Sequence, residues 1–393
     1  MIDYEKVLPK KVVELPPSGI RKFFDILGSM TDVVALTVGQ PDFPTPWHIR
    51  EAGIESLEKG KTYYTANAGT PELRQEISKY LDRRFSLKYD PMHETVVTVG
   101  GSEAIDVAMR AVIEPGDEVI IPTPCFVCYE PLAKLAGGVP VIVETKFEDK
   151  FKLTPEALRA AITPKTKLLV LPFPNNPTGA IMTKEDLEGI ADVLRDTNIL
   201  VLSDEIYAEL TYGKRHVSIA SIDGMRERTI LVSGFSKAYS MTGWRLGYLC
   251  APEPLAAQIL KLHQFAIMCA PTTSQLAAIE ALRNGDEDIE MMSAEYCRRN
   301  NYIYEGLRSI GIESFRPEGA FYIYPNIRKF GLSSETFCER LLYEARCAIV
   351  PGTAFGNAGE GFARISYAYS VPHITTALAG IKAFVEQLKH EQK

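Results

Sequence analysis

The 393-residue sequence predicts an α/β protein, a mainly parallel sheet with helices on both faces, joined to a smaller α+β unit. Three observations predict it. From about residue 46 to 285, short β-rich runs alternate with helical runs. Each β-rich run ends close to polar or glycine-rich sequence, as at the ligand-facing edge of an open parallel sheet. Beyond residue 285 the order changes to a long helix, a β-rich stretch, a helix, another β-rich run and a terminal helix. The chain therefore divides into a segment 1–45 that joins the smaller unit, a large unit 46–285 and a small unit 286–393.

Hydrophobic patterning places strands at 95–99, 118–121, 141–144, 167–171, 199–203 and 229–233. A helix runs from residue 102, with Ile105, Ala108, Met109 and Val112 on one face, and stops at Pro115-Gly116-Asp117. Thr183-Lys184-Glu185-Asp186 reads as a capping box, opening a helix that carries Leu187, Ile190, Ala191 and Leu194 on one side. In the small unit, GAFYIYPNI is the β-rich stretch and residues 337–345 form the helix after it. The terminal helix starts after Ser370 and presents Ile374, Leu378, Ile381, Val385 and Leu388, an apolar face that packs. No internal repeat, low-complexity tract or long linker interrupts this order.

Composition narrows the function. With 46% hydrophobic and 24% charged residues the chain reads as a soluble globular protein. The formal net charge is −7 and the basic residues are dispersed, which argues against a nucleic-acid partner. No apolar run reaches the length of a membrane span or a signal peptide, so a cytoplasmic, unanchored protein is expected. Seven cysteines at irregular spacing suit free thiols in a reducing compartment. Cys125 and Cys128 form a C-x-x-C in a Pro-flanked stretch, without a second pair or a nearby histidine, and read as two small buried side chains away from any helix start. The six histidines show no metal-binding spacing, and no metal site is expected.

The chemistry concentrates just past the expected strand ends. Run 199–203 is followed by Asp204-Glu205-Ile206-Tyr207, and run 229–233 by Gly234-Phe235-Ser236-Lys237. A lysine beside an acid is by itself most often an ion pair. Here SGFSKAYSMTGWRLGY resembles the cofactor-attachment signature of class I/II aminotransferases, with small and apolar residues before Lys237 and an arginine, Arg245, eight residues after it. PNNPTG at 174–179, SDEIY at 203–207 and ARISYA at 363–368 follow the same family's pattern. The resemblance extends from VGQPDFPTP at 38–46 through YTANAGTPELR at 64–74 to the terminal helix. It implies the fold type I of pyridoxal 5′-phosphate (PLP) enzymes, with a seven-stranded sheet, and makes 46–285 the PLP-binding domain.

The resemblance also assigns roles. It makes Lys237 the Schiff-base partner of the cofactor and the proton carrier between the substrate α-carbon and the cofactor C4′. Asp204 pairs with the pyridine nitrogen and keeps it protonated. Tyr207 and Asn176 hydrogen-bond the phenolic oxygen. Gly101, Ser102 and Glu103 offer backbone N–H groups to the phosphate at a helix start, and Arg245 adds a charge-assisted contact. Where part of the family has a phosphate-binding serine three residues before the lysine, this chain has Gly234, so the hydroxyl must come from Ser233 or Ser236. Phe126 aligns with the aromatic that stacks on the pyridine, with ordinary core packing as its rival. Arg364 takes the substrate α-carboxylate with its planar fork, helped by the Gly39 N–H. Tyr64 matches a tyrosine that reaches the neighbouring subunit's phosphate, which implies a homodimer with shared sites.

Three functions are compatible with these residues: an aminotransferase, a PLP-dependent carbon–sulfur lyase or aminocyclopropane-carboxylate-type synthase on the same scaffold, and a non-catalytic PLP-binding regulator. The complete constellation favours the first. Only about 45 residues precede the large unit, without the helix-turn-helix pattern that a regulator needs. SGIRKFFDIL, YTANAGTPELR, VLSDEIYAELTY, SKAYSMTGWRLGY and HQFAIMCA resemble bacterial N-acetyl-L,L-diaminopimelate aminotransferases of lysine biosynthesis, and overlap with aspartate and aromatic aminotransferases. The substrates implied are amino acids and 2-oxo acids, with glutamate and 2-oxoglutarate as one pair. Arg21 and Lys22 lie in a segment that often covers the substrate, where either a distal carboxylate or solvent is their partner.

Overall fold

The computed structural model describes residues 2–17, 19, 30 and 32–391. A two-residue strand β1 (Val34–Ala35) precedes the large sheet, which comprises β2 (Thr95–Thr98), β3 (Glu118–Thr123), β4 (Val139–Glu144), β5 (Thr166–Leu171), β6 (Leu200–Asp204), β7 (Thr229–Gly234) and β8 (Gly247–Cys250). Their spatial order is β2-β8-β7-β6-β5-β3-β4. Every pairing is parallel except those of β8, which runs antiparallel to both β2 and β7.

Six of these strands lie where hydrophobic patterning put them; β8 is the addition. Its sequence GYLC is short and opens with glycine, a residue that weakens a strand unless another backbone comes close. Here one does, because a Cβ on Gly247 would stand 2.6 Å from the carbonyl carbon of Gly100. That contact seats the helix Gly101–Val112 against the sheet.

Strand residues alternate between two apolar layers, as the pleat requires. Val119, Ile121, Leu168, Val170, Leu202 and Val232 meet Ala104, Ile105, Ala108 and Ile259 on one face. Ile120, Leu169, Leu171 and Val201 meet Leu187, Ile190 and Leu194 on the other. Helix Lys184–Leu194 starts with the expected capping box, Thr183 and Asp186 each bonding the other's backbone N–H.

Beyond the large sheet come helices Asp286–Ile310, Ser334–Ala345 and Val371–Glu391. Strands β9 (Tyr322–Ile323), β11 (Val350–Pro351) and β12 (Ala363–Ser366) form an antiparallel trio, while β10 (Cys347–Ala348) pairs in parallel with β1. Ile303, Leu307, Phe337, Leu341, Ile374, Ile381, Val385 and Leu388 form one core with Leu36 from the N-terminal segment. Leu378 packs at its margin. GAFYIYPNI contributes less strand than its composition predicts, only Tyr322–Ile323, because Ala320 turns the chain in the left-handed region (φ 55°) and Pro325 lacks an N–H for a ladder.

The C-x-x-C reading needs a correction. Helix Tyr129–Leu135 begins directly after Cys128, so this cysteine does stand at a helix start, and of the two side chains Cys125 is buried while Cys128 is half-buried. The thiols are nonetheless inert in character, since burial pushes both well up from their ordinary range. Among the described residues, no helix is long and apolar enough to cross a membrane.

Candidate active site

A cavity of about 390 Å³ opens past the carboxyl ends of the parallel strands. Asp204 is the last residue of β6, and Lys237 comes three residues after β7 ends. Phe126 follows β3, Asn176 follows β5, and Gly101 and Ser102 open the helix after β2. All six line the cavity, with Gly39, Tyr207, Ser236, Arg245 and Arg364.

The charges around it are unbalanced. Asp204 is 7% exposed, and burial pushes its carboxyl up from the usual range while two hydrogen bonds hold it down. Its Oδ2 accepts from the Tyr129 hydroxyl at 2.7 Å and its Oδ1 from the Ile206 N–H at 3.2 Å. Neither donor is a cation. The adjacent acid, Glu205, faces the other way and accepts from Ser203 (2.9 Å), Ser218 (2.6 Å) and His216 (2.8 Å). Across the cavity the Lys237 amine donates to the Gly39 carbonyl at 2.7 Å. Burial, then the Arg364 and Arg245 charges, lower its pKa to about 8, so near neutral pH it is still mostly protonated but holds a far larger share of free amine than an ordinary lysine.

Arg364, on β12, is 2% exposed. One Nη donates to Asn176 Oδ1 at 3.0 Å and the other to the Thr37 carbonyl at 2.5 Å. Tyr322 and Phe355 cover the guanidinium with centroids at 4.6 and 4.7 Å. Its Nε is buried without a partner. A buried guanidinium with an unused donor is costly unless an anion completes it.

At the opposite end, the first-turn N–H groups of helix Gly101–Val112 have no partner within the helix. Gly100 precedes them at φ 78°, and a Cβ there would stand 2.6 Å from an Arg245 Nη. Only glycine lets the guanidinium lie across the helix start. Arg245 itself holds φ 49°, an uncommon conformation for a residue with a side chain. Gly39 is held to glycine too, because a Cβ would meet the Tyr322 hydroxyl at 2.4 Å.

These residues fit PLP. A ring N–H⁺ would satisfy Asp204, a phosphate would satisfy the helix start beside Arg245, and an aldehyde would meet an amine that is partly unprotonated. Comparison with known proteins agrees. The family model for aminotransferase class I and II matches residues 31–381. The chain is 52% identical to the Bacillus subtilis protein YugH over 376 residues, 96% of this chain and 97% of that one. It is 45% identical to the B. subtilis protein named probable N-acetyl-LL-diaminopimelate aminotransferase, with 97% and 96% covered, and 44% identical to an aspartate aminotransferase of Pyrococcus abyssi, with 95% and 97% covered. Two solved structures superpose closely: the aromatic aminotransferase of Pyrococcus horikoshii (TM-score 0.89, 44% identity, 93% of this chain and 99% of that one) and the aspartate aminotransferase of Thermus thermophilus with maleate (TM-score 0.91, 39% identity, 96% and 99%).

The chain belongs to the class I and II aminotransferases. Its cofactor is pyridoxal 5′-phosphate, and its substrates are amino acids and keto acids.

Two residues expected at the site of this aminotransferase lie off the cavity. The Glu103 carboxylate turns back to the Val99 N–H and to His263 Nδ1, so the residue offers the site only its backbone. Tyr64 is 79% exposed on the outer surface. Of the two serines, Ser236 lines the cavity and Ser233 bonds the Glu205 carbonyl. Arg21 and Lys22 lie outside the described residues.

Several cavity residues carry no role assigned by the motifs. Tyr129 reaches Asp204, Tyr322 bonds the Tyr207 hydroxyl at 2.8 Å, and Gln40 and Thr242 line the wall. Tyr129 stands three residues after Phe126, and its ring meets Phe126 edge-on at the start of helix Tyr129–Leu135.

Proposed function

We propose that this aminotransferase moves an amino group between glutamate/2-oxoglutarate and a second amino acid/2-oxo acid pair, with N-acetyl-L,L-diaminopimelate as the second amino acid. The observation that carries a shared α-carboxylate site is Arg364, a fully buried planar fork with an unused Nε on the same cavity as Lys237. The choice of N-acetyl-L,L-diaminopimelate is supported by the stretches that resemble that group and by the 45% identical relative.

When bound, the cofactor supplies an aldehyde carbon that links to amines and a ring that draws electrons from the bonds at the substrate α-carbon. Lys237 holds the cofactor and carries the proton between the substrate α-carbon and the cofactor C4′. Asp204 keeps the ring nitrogen protonated. Asn176 has its Oδ1 taken by Arg364, which leaves its amide N–H to donate to the phenolic oxygen beside the Tyr207 hydroxyl. Phe126 covers the ring, while Ser236, Ser102, Arg245 and the first-turn N–H groups take the phosphate. Gly39 and Arg364 take the α-carboxylate.

A panel of amino donors against 2-oxoglutarate tests the substrate. Conversion of N-acetyl-L,L-diaminopimelate at the highest kcat/KM supports the reading; a higher value for aspartate or an aromatic amino acid replaces it. The carboxylate role has its own test. Arg364→Lys keeps a charge and loses the fork, so kcat/KM should fall about a hundredfold for glutamate and for a neutral donor alike. A loss confined to glutamate would show that Arg364 serves a distal carboxylate instead.

A homodimer with Tyr64 contributed to the neighbouring site is supported by an exposed apolar patch. Tyr63, Tyr64 and Phe265 are 65%, 79% and 87% exposed, and Asn67 ties their two segments together through the Met268 carbonyl. Light scattering should give twice the chain mass, and Tyr64→Phe should raise the Kd for PLP. A monomer that retains full activity would exclude the shared site.

A further inference from the structure

Tyr129 begins the helix Tyr129–Leu135, and its ring is 2% exposed. The ring meets Phe126 edge-on, with centroids 6.3 Å apart and planes at 81°. Its hydroxyl donates to Asp204 Oδ2 at 2.7 Å, while the Ile206 N–H takes Oδ1. Each carboxylate oxygen therefore has one protein donor, which fixes the plane of the group and leaves further lone pairs for the cavity.

The type of donor matters as much as its position. A lysine or arginine at this place would neutralise Asp204 and spend the charge that the cofactor ring needs. A phenol stabilises the carboxylate by a hydrogen bond without adding a counter-charge. Burial and the neighbouring Asp204 push the Tyr129 hydroxyl well above its ordinary range, so it keeps its proton and donates it to the carboxylate. Packing against Phe126 restrains its ring.

Resting on the role given to Asp204 above, we propose that Tyr129 is a positioning residue: it orients Asp204 as a carboxylate, and through it keeps the shared proton on the cofactor ring nitrogen. Without the phenol, Asp204 becomes the better base and draws that proton toward itself. The Tyr129 hydroxyl is spent on Asp204, so substrate binding should be nearly untouched.

The test uses the holoenzyme carrying ¹⁵N-labelled PLP, in four forms: unchanged, Tyr129→Phe, Asp204→Asn and the double variant. Tyr129→Phe should lower kcat about tenfold, the order expected for losing a hydrogen bond to a charged group. KM should change less than about twofold, and the ring ¹⁵N resonance should move toward its unprotonated position. In the Asp204→Asn background the same change should have no further effect on kcat or on the resonance, because the two groups act as one unit. An equal loss in both backgrounds, or a lowered Tm with an unmoved ¹⁵N resonance, would make Tyr129 purely structural and overturn the proposal. If Asp204→Asn is crippled while Tyr129→Phe is silent, only this proposal fails. If Asp204→Asn turns over normally, the role of Asp204 fails and takes this one with it.

Discussion

Lys237→Ala should reduce turnover by roughly four powers of ten or more, because one change removes both the covalent anchor and the proton carrier. The fold should survive. Lys237 makes a single hydrogen bond, to the Gly39 carbonyl, and its amine opens onto the cavity, so alanine leaves no buried partner stranded except one carbonyl. Far-ultraviolet circular dichroism and Tm should stay near those of the unchanged enzyme while half-reaction rates collapse. Turnover within about tenfold of normal would remove Lys237 from the mechanism.

Asp204→Asn should rank second. It keeps the shape, and the asparagine carbonyl can still accept the Tyr129 hydroxyl, so PLP should still bind and Tm should hold. What disappears is the negative charge that maintains the ring N–H⁺, a preorganised charge whose loss costs about 10²–10³ in kcat or more. Half-reaction rates with a saturating amino donor measure this directly. Near-normal rates would reduce Asp204 to a structural acid, like its neighbour Glu205 in the His216–Ser203–Ser218 cage.

The sequence carried most of the fold because two periodicities dominate it. Alternating apolar runs mark β2 to β7, and helical faces such as Leu187, Ile190 and Leu194 mark the layers over them. Strand β8 has no alternation to show for a physical reason: Gly247 answers to the close approach of Gly100, and Tyr248, Leu249 and Cys250 are all buried in apolar layers. The short strand in GAFYIYPNI failed in the opposite direction, where aromatic composition promised more ladder than Ala320 and Pro325 allow.

For the site, residues within motifs were legible and residues that act on them were not. Asp204, Lys237, Asn176 and Arg364 come from four separate motifs and meet at one cavity. Tyr129, Tyr322 and Thr37 come from segments with no such signature, and only tertiary packing brings them to Asp204, Tyr207 and Arg364. Glu103 is assigned only its backbone N–H, and its side chain shows the same limit. Its place in the first helical turn is visible in the sequence, but His263, 160 residues further on, decides where its carboxylate points.

Reductive trapping locates the lysine that holds the cofactor. The PLP-loaded enzyme is treated with borohydride and digested, and the peptide that carries the cofactor is identified. A single labelled peptide with the cofactor on Lys237 is expected, and no label once an amino donor has first discharged the enzyme. A label on any other lysine, or none on Lys237, would contradict this assignment.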